Sequence, residues 1–315
     1  MPLTLSGALA LTAINGMKMF MKTLLAFCFL LTTLCAPGLA QEKPIIIGGK
    51  NFTEQYILAE MAKLLLEKEG FQVTLKTGVG STVLRRSLER GQVDLCFEYT
   101  GTAYTVYLKG KDRAVMTDPE KVFNFVKAAD AKRGLVWLPR MEVNSTYTLL
   151  MPQQKASDLQ ISTISNLAAY VNRHPDALIF GMNAEFWGRP DGFRNLMKTY
   201  RFRVPVGNIK KMATGLTYTA LREGETDVSM GFSTDGRILA WGFVELADDR
   251  KFFPIYNPAP VVRKEILEKY PEVVQILLPL TRLTTQDMQK LNKAVDVDKK
   301  SVHQAARDWL TSQGL

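Results

Sequence analysis

Two stretches of this chain carry the same local pattern, and that echo limits the fold more than any other feature. Leu88-Glu89-Arg90-Gly91-Gln92-Val93-Asp94-Leu95-Cys96-Phe97-Glu98-Tyr99-Thr100 runs in register with Leu221-Arg222-Glu223-Gly224-Glu225-Thr226-Asp227-Val228-Ser229-Met230-Gly231-Phe232-Ser233. Each reads as a helix end, a glycine turn, an aspartate, a buried strand, then an aromatic and a hydroxyl residue. Ligands of open α/β sheets bind outside the carboxyl ends of strands, which is where Tyr99 and Phe232 fall. The echo therefore predicts two similar α/β units that present aromatic rings to a shared cleft.

The segments around the first copy support a parallel sheet. Pro44–Gly49 reads as a buried strand ending in a glycine turn. Asn51 with Glu54 resembles a helix N-cap, and Ile57, Leu58, Met61, Leu64 and Leu65 follow at helical spacing as far as Gly70. Phe71–Lys76 is a short strand, Ser81 opens a helix through Leu84 and Leu88, and Val93–Phe97 is the next strand. Strand and helix alternating with short connections is the signature of an α/β fold. Thr117-Asp118-Pro119-Glu120 starts a further helix, and the segment from Arg263 to Leu315 is mostly helical, with breaks at Pro271 and Pro279.

Residues 1–40 have the layout of an export signal: no acidic residue, Lys18 and Lys22, the apolar run Thr23–Leu31, and the small-residue exit Pro37-Gly38-Leu39-Ala40. The apolar run is shorter than the roughly 20 residues a spanning helix needs. Met17 or Met21 fits as the true start. Cys28 follows Phe27 and Cys35 follows Leu34, so neither sits in a lipid-attachment context. The exported chain keeps Cys96, which lies in an apolar run and is expected to be a buried small hydrophobe. The chain is expected in the periplasm without disulfides.

Catalytic and metal chemistry find little support. The chain has two histidines, His174 and His303, both in polar surroundings, and no His-Glu-x-x-His or Gly-x-Ser-x-Gly motif. Gly78-Val79-Gly80-Ser81 follows a strand and opens a helix, but Val83 stands where a dinucleotide fingerprint needs its third glycine. The turn is better read as a source of backbone N–H groups. The formal charge of +9 is dispersed, so it predicts a solvated surface and no nucleic-acid partner. Neither a cofactor nor a metal is expected, and the chain is not expected to be an enzyme.

Binding chemistry fits better. Tyr99, Tyr147, Phe232 and Tyr256 each stand beside turn residues. Singly, each is equally a packing residue; together they would box a ligand cation that cannot donate hydrogen bonds. A zwitterion would also need a basic partner, and Lys50 and Arg189 lie in turn-like contexts, although either could be an ordinary surface residue. Arginine can grip a carboxylate with two parallel hydrogen bonds. Trp187 is a further aromatic beside the arginine turn.

A family resemblance joins these residues. Gly48-Gly49-Lys50-Asn51-Phe52-Thr53-Glu54-Gln55, Glu98-Tyr99-Thr100-Gly101-Thr102, Asn144-Ser145-Thr146-Tyr147, Glu185-Phe186 with Arg189-Pro190-Asp191-Gly192, Ser233-Thr234-Asp235-Gly236-Arg237-Ile238 and Phe253-Pro254-Ile255-Tyr256-Asn257-Pro258 resemble the substrate-binding proteins of osmoprotectant (glycine betaine, choline, carnitine) ABC importers. The resemblance implies a type II periplasmic-binding-protein fold, two α/β lobes joined by a two-crossing hinge. The expected lobes are 41–145 plus 251–315 and 146–250. It implies a cage of four tyrosines, matched by Tyr99, Tyr147 and Tyr256, with Phe232 in the fourth place. It also implies a carboxylate site at Lys50, Arg189 and Thr102, and as partners an inner-membrane permease and ATPase, served by a monomer. The rival expectations are a receptor of the same fold for another zwitterion, such as an amino acid or histidine betaine, and an enzyme on the same scaffold.

Overall fold

Side chains along the central strands alternate between two cores with the period of two that β-geometry imposes. Ile45 and Ile47 face one core with Leu95, Phe97 and Val262, whereas Ile46 faces another with Cys96 and Val261. A strand apolar on both faces belongs in the middle of a sheet covered by helices on both sides. The computed structural model describes residues 42–315. The export signal expected over 1–40, with Cys28 and Cys35, lies outside the described residues.

The first sheet has the order β2-β1-β3-β10-β4, formed by β1 (Lys43–Lys50), β2 (Phe71–Val79), β3 (Leu95–Tyr99), β4 (Leu135–Trp137) and β10 (Pro258–Arg263). The second has the order β7-β6-β8-β5-β9, from β5 (Tyr147–Pro152), β6 (Phe180–Met182), β7 (Ile209–Lys211), β8 (Val228–Phe232) and β9 (Phe243–Glu245). In each sheet four strands run one way and a single strand, β10 in the first and β5 in the second, runs against them. The purely parallel sheet suggested by the spacing is therefore a mixed one. The chain crosses between the sheets twice, from β4 to β5 and from β9 to β10, and the strand reached by each crossing is antiparallel to the central β8 or β3.

The echo is a structural repeat. Gly91 and Gly224 both adopt positive φ, +69° and +74°, which a side chain would strain. Asp94 Oδ2 accepts from the Ile46 N–H at 2.8 Å, and Asp227 Oδ2 accepts from the Ile179 N–H at 2.6 Å. Each aspartate pins its turn to the neighbouring strand. That pinning is why β3 starts at Leu95, two residues later than the apolar run suggests, and extends to Tyr99.

Two other local expectations change. Gly48-Gly49 lies inside β1, where the pairing with β2 shifts between Gly48 and Lys50, and does not form a turn. The helix Thr53–Lys68 is capped at Phe52, whose carbonyl accepts from Gln55 and Tyr56; Asn51 does not cap it. The helix start at Asp118 is as the sequence suggests: its carboxylate accepts from the N–H groups of Glu120 and Lys121, and Pro119 occupies the first turn. Cys96 is buried, and burial pushes its thiol up. No helix among the described residues is long and apolar enough to cross a membrane.

Candidate functional site

The repeat explains where the aromatic side chains meet. Tyr99 ends β3 and Phe232 ends β8; Tyr147 opens β5 and Tyr256 lies just before β10. All four are at the same edge of their sheets, facing the space between the lobes. One pocket is lined by Lys50, Tyr99, Thr102, Tyr147, Arg189, Phe232 and Tyr256, the residues expected from the sequence. It is also lined by Phe52, Ser145 and Glu185. Trp187 is not among the lining residues and packs against the core of the second sheet.

The rings form a continuous wall. Tyr147 lies 5.1 Å from Phe232 and 5.7 Å, edge-on, from Tyr256. Phe52 stacks on Phe232 at 5.1 Å and stands 6.2 Å from Tyr99, so it joins the two halves of the wall. These are the distances at which aromatic rings attract each other. The sequence reading missed Phe52, because a residue between a strand and a helix carries no periodic signal.

Both basic residues are already paired. Lys50 donates to Glu98 Oε1 at 2.5 Å, with each side chain only 3% exposed, and its ammonium sits 4.8 Å from the centre of the Tyr99 ring. Arg189 grips Asp191 through Nε at 2.8 Å and Nη2 at 2.7 Å. Its guanidinium lies 5.3 Å from the Tyr147 ring. Burial opposes ionisation of Asp191, but the Arg189 charge and hydrogen bonds from Arg189, Tyr256 and Thr105 hold its carboxyl below the usual carboxylate range. Burial also opposes the charge on Arg189, and Asp191 outweighs it, leaving the guanidinium protonated. Burial pushes the Tyr99, Tyr147 and Tyr256 hydroxyls up, so all three stay neutral at physiological pH.

Pairing leaves useful donors. Arg189 uses Nε and Nη2 for Asp191 and Thr102, so Nη1 makes no hydrogen bond among the described residues. Thr102 Oγ1 accepts from Arg189 Nη2 at 3.1 Å, so its own proton is free to donate. The site thus offers π faces beside two N–H or O–H donors, a combination suited to a cation at one end and a carboxylate at the other.

Contacts also span the gap between the sheets. Glu185, in the short helix Ala184–Gly188, accepts from the Ser81 N–H at 2.8 Å and Oγ at 3.0 Å. Gly78 and Val79 finish β2 and do not form the expected turn, but the helix that starts at Ser81 does supply a backbone N–H, and a carboxylate occupies it, in keeping with the polarity of a helix start. Asp191 Oδ2 also accepts from Tyr256 at 2.7 Å and Thr105 at 2.9 Å. His174 and His303 are exposed and are not among the residues lining the pocket.

The chain is similar to known proteins over nearly all of its described residues. A family model described as the substrate binding domain of an ABC-type glycine betaine transport system matches residues 43–312. The glycine-betaine-binding protein of Pseudomonas aeruginosa is 38% identical over 296 residues, covering 92% of this chain and 94% of that protein. The ergothioneine transport permease/ergothioneine binding protein of Helicobacter pylori is 35% identical over 278 residues, 87% of this chain and 48% of that one. A crystal structure of a glycine betaine/carnitine/choline ABC transporter matches with a TM-score of 0.69 at 28% identity, covering 87% of this chain and 99% of its own.

Proposed function

This chain belongs to the substrate-binding domains of ABC-type glycine betaine transport systems, and from that premise we propose that its pocket captures a small zwitterion bearing a quaternary ammonium group. The observation that carries the reading is the wall of Tyr99, Phe52, Phe232, Tyr147 and Tyr256 beside the free Nη1 of Arg189 and the hydroxyl of Thr102. A methylated nitrogen cannot donate a hydrogen bond, so ring faces are its natural partners, each contact being worth about 0.5–2 kcal/mol. The ligand carboxylate takes Arg189 Nη1 and Thr102, with Lys50 contributing charge while it stays paired to Glu98. Phe232 keeps a π face and lacks the hydroxyl of a tyrosine.

The protein acts as a receptor and not as an enzyme, delivering its ligand to a permease and ATPase. The reading places it in the periplasm as a monomer, exported by residues 1–40. It divides the chain into lobes 41–145 plus 251–315 and 146–250, supported by the two crossings between the sheets. The Helicobacter pylori relative favours a second ligand: ergothioneine is also a trimethylammonium zwitterion, and it would meet the same rings.

Calorimetry on residues 41–315 with glycine betaine, choline, carnitine, ergothioneine and unmethylated glycine tests both. Saturable binding of one or more trimethylated ligands, with glycine at least tenfold weaker, is expected. Glycine binding as tightly as glycine betaine, or no binding of any trimethylated ligand, overturns the reading.

A further inference from the structure

Behind Phe52 and Phe232 lies a second pocket of about 140 Å³, lined in part by Glu54, Thr234, Asp235, Arg237, Asn292 and Asp296. Glu54 is 2% exposed. Its Oε1 accepts from the Tyr99 hydroxyl at 2.7 Å and from Ser145 Oγ at 2.5 Å, while its Oε2 is buried and has no hydrogen-bond partner among the described residues. On the helix Thr285–Asp296, Asn292 gives its amide N–H to the Thr234 carbonyl at 2.9 Å, and its Oδ1 is likewise buried without a donor. Two buried acceptors lining one pocket, each without a hydrogen-bond partner among the described residues, are costly if both remain acceptors.

We propose that Glu54 is a positioning residue for the ligand-facing ring of Tyr99, and that it is held as the neutral acid, its Oε2–H donating to Asn292 Oδ1. One proton turns an acceptor into a donor and satisfies both orphans. The nearby cations do not supply an alternative. Lys50 is committed to Glu98, and Arg237 is committed to Asp235 and Asp296. The groups facing Glu54 are Tyr99 from β3, Ser145 from the first crossing, Thr234 with the Asp235–Arg237 pair beyond β8, and Asn292 with Asp296 from the helix Thr285–Asp296. Burial pushes the Glu54 carboxyl up, and the hydrogen bonds from Tyr99 and Ser145, with the nearby polar side chains of Thr234 and Asn292, only partly offset this. The consequence for binding is geometric. The proton ties Tyr99 through Glu54 to the helix that carries Asn292, which fixes the ring before the ligand arrives.

The inference rests on the reading that Tyr99 faces the ligand, and its test separates the two. Infrared difference spectroscopy of the ligand-free protein, wild type against Glu54→Gln, should show a protonated-carboxyl C=O band in the wild type that the variant lacks. A missing band overturns the proposal whatever the ligand. Glu54→Ala should weaken binding of the best trimethylated ligand at least tenfold. Glu54→Gln, which can accept from Tyr99 and donate to Asn292, should restore affinity to within about threefold. Because folding raises the Glu54 pKa, its stabilisation is present at low pH and lost as pH rises through the folded value. The melting temperature of the wild type should therefore fall relative to Glu54→Gln as pH rises, a trend that a purely space-filling role would not produce. Affinity in Glu54→Gln as low as in Glu54→Ala, or affinity that depends on whether sodium or potassium is the salt, would show a charged Glu54 or an ion-filled chamber and overturn the proposal.

Discussion

Replacing Asp191 with asparagine isolates the buried ion pair beside the cage. The carboxylate receives Arg189 Nε and Nη2, Tyr256 OH and Thr105 Oγ1, all within 2.9 Å. Asparagine keeps the shape but carries no charge, and its NH2 group faces donors where the carboxylate accepted. Arg189 then remains as a buried, uncompensated cation. Removing one partner of such a pair costs about 3–5 kcal/mol. At roughly 2–4 °C per kcal/mol for a domain of this size class, the midpoint of thermal unfolding should fall by about 6–20 °C. Circular dichroism melts without ligand at neutral pH measure it, and the double variant Arg189→Met/Asp191→Asn should recover part of the loss because neither charge is left. The pH dependence has a definite sign. With the folded Asp191 pKa below the usual range, the stabilisation is complete above that range and disappears only as pH falls through the depressed value. The gap between wild type and Asp191→Asn should thus hold steady from neutrality to about pH 4 and close below it. A midpoint lowered by less than about 2 °C, or a gap that closes near neutrality, would refute the reasoning.

Arg189→Ala should weaken glycine betaine more than choline, which has no carboxylate, and the ratio of the two losses by calorimetry is insensitive to any general softening of the site; equal losses would remove Arg189 from the carboxylate site. Tyr147→Ala should cost at least tenfold in affinity for the preferred trimethylated ligand, or about 1.4 kcal/mol, while Tyr147→Phe, which keeps the π face, should cost less; indifference to the alanine would remove Tyr147 from the cage.

The sequence carried the skeleton of this fold because its strongest signals are local. The Gly91 and Gly224 turns, the strand-end rings and the proline-led helix at Asp118 need only a few neighbouring residues to be recognised. What it did not carry depends on residues distant in the chain. The bond from Asp94 to Ile46, which delays β3, spans 48 positions, as does the bridge from Lys50 to Glu98. Nothing near Lys50 or Glu98 marks them as a buried pair. Phe52 was hidden for a similar reason, since its partners, Tyr99 and Phe232, are brought to it only when both sheets are assembled. The pairing of Arg189 with Asp191 is local enough to see, but a two-residue spacing in a turn says nothing about burial.

The two chain crossings deliver β5 and β10, and so place Tyr147 and Tyr256 at the joints of the molecule while Tyr99 and Phe232 ride on the centres of the sheets. Any rotation of one lobe about those joints changes the angle between joint-borne and sheet-borne rings before it changes anything deeper in either core. A molecule held against all four rings would therefore feel the attitude of the lobes directly.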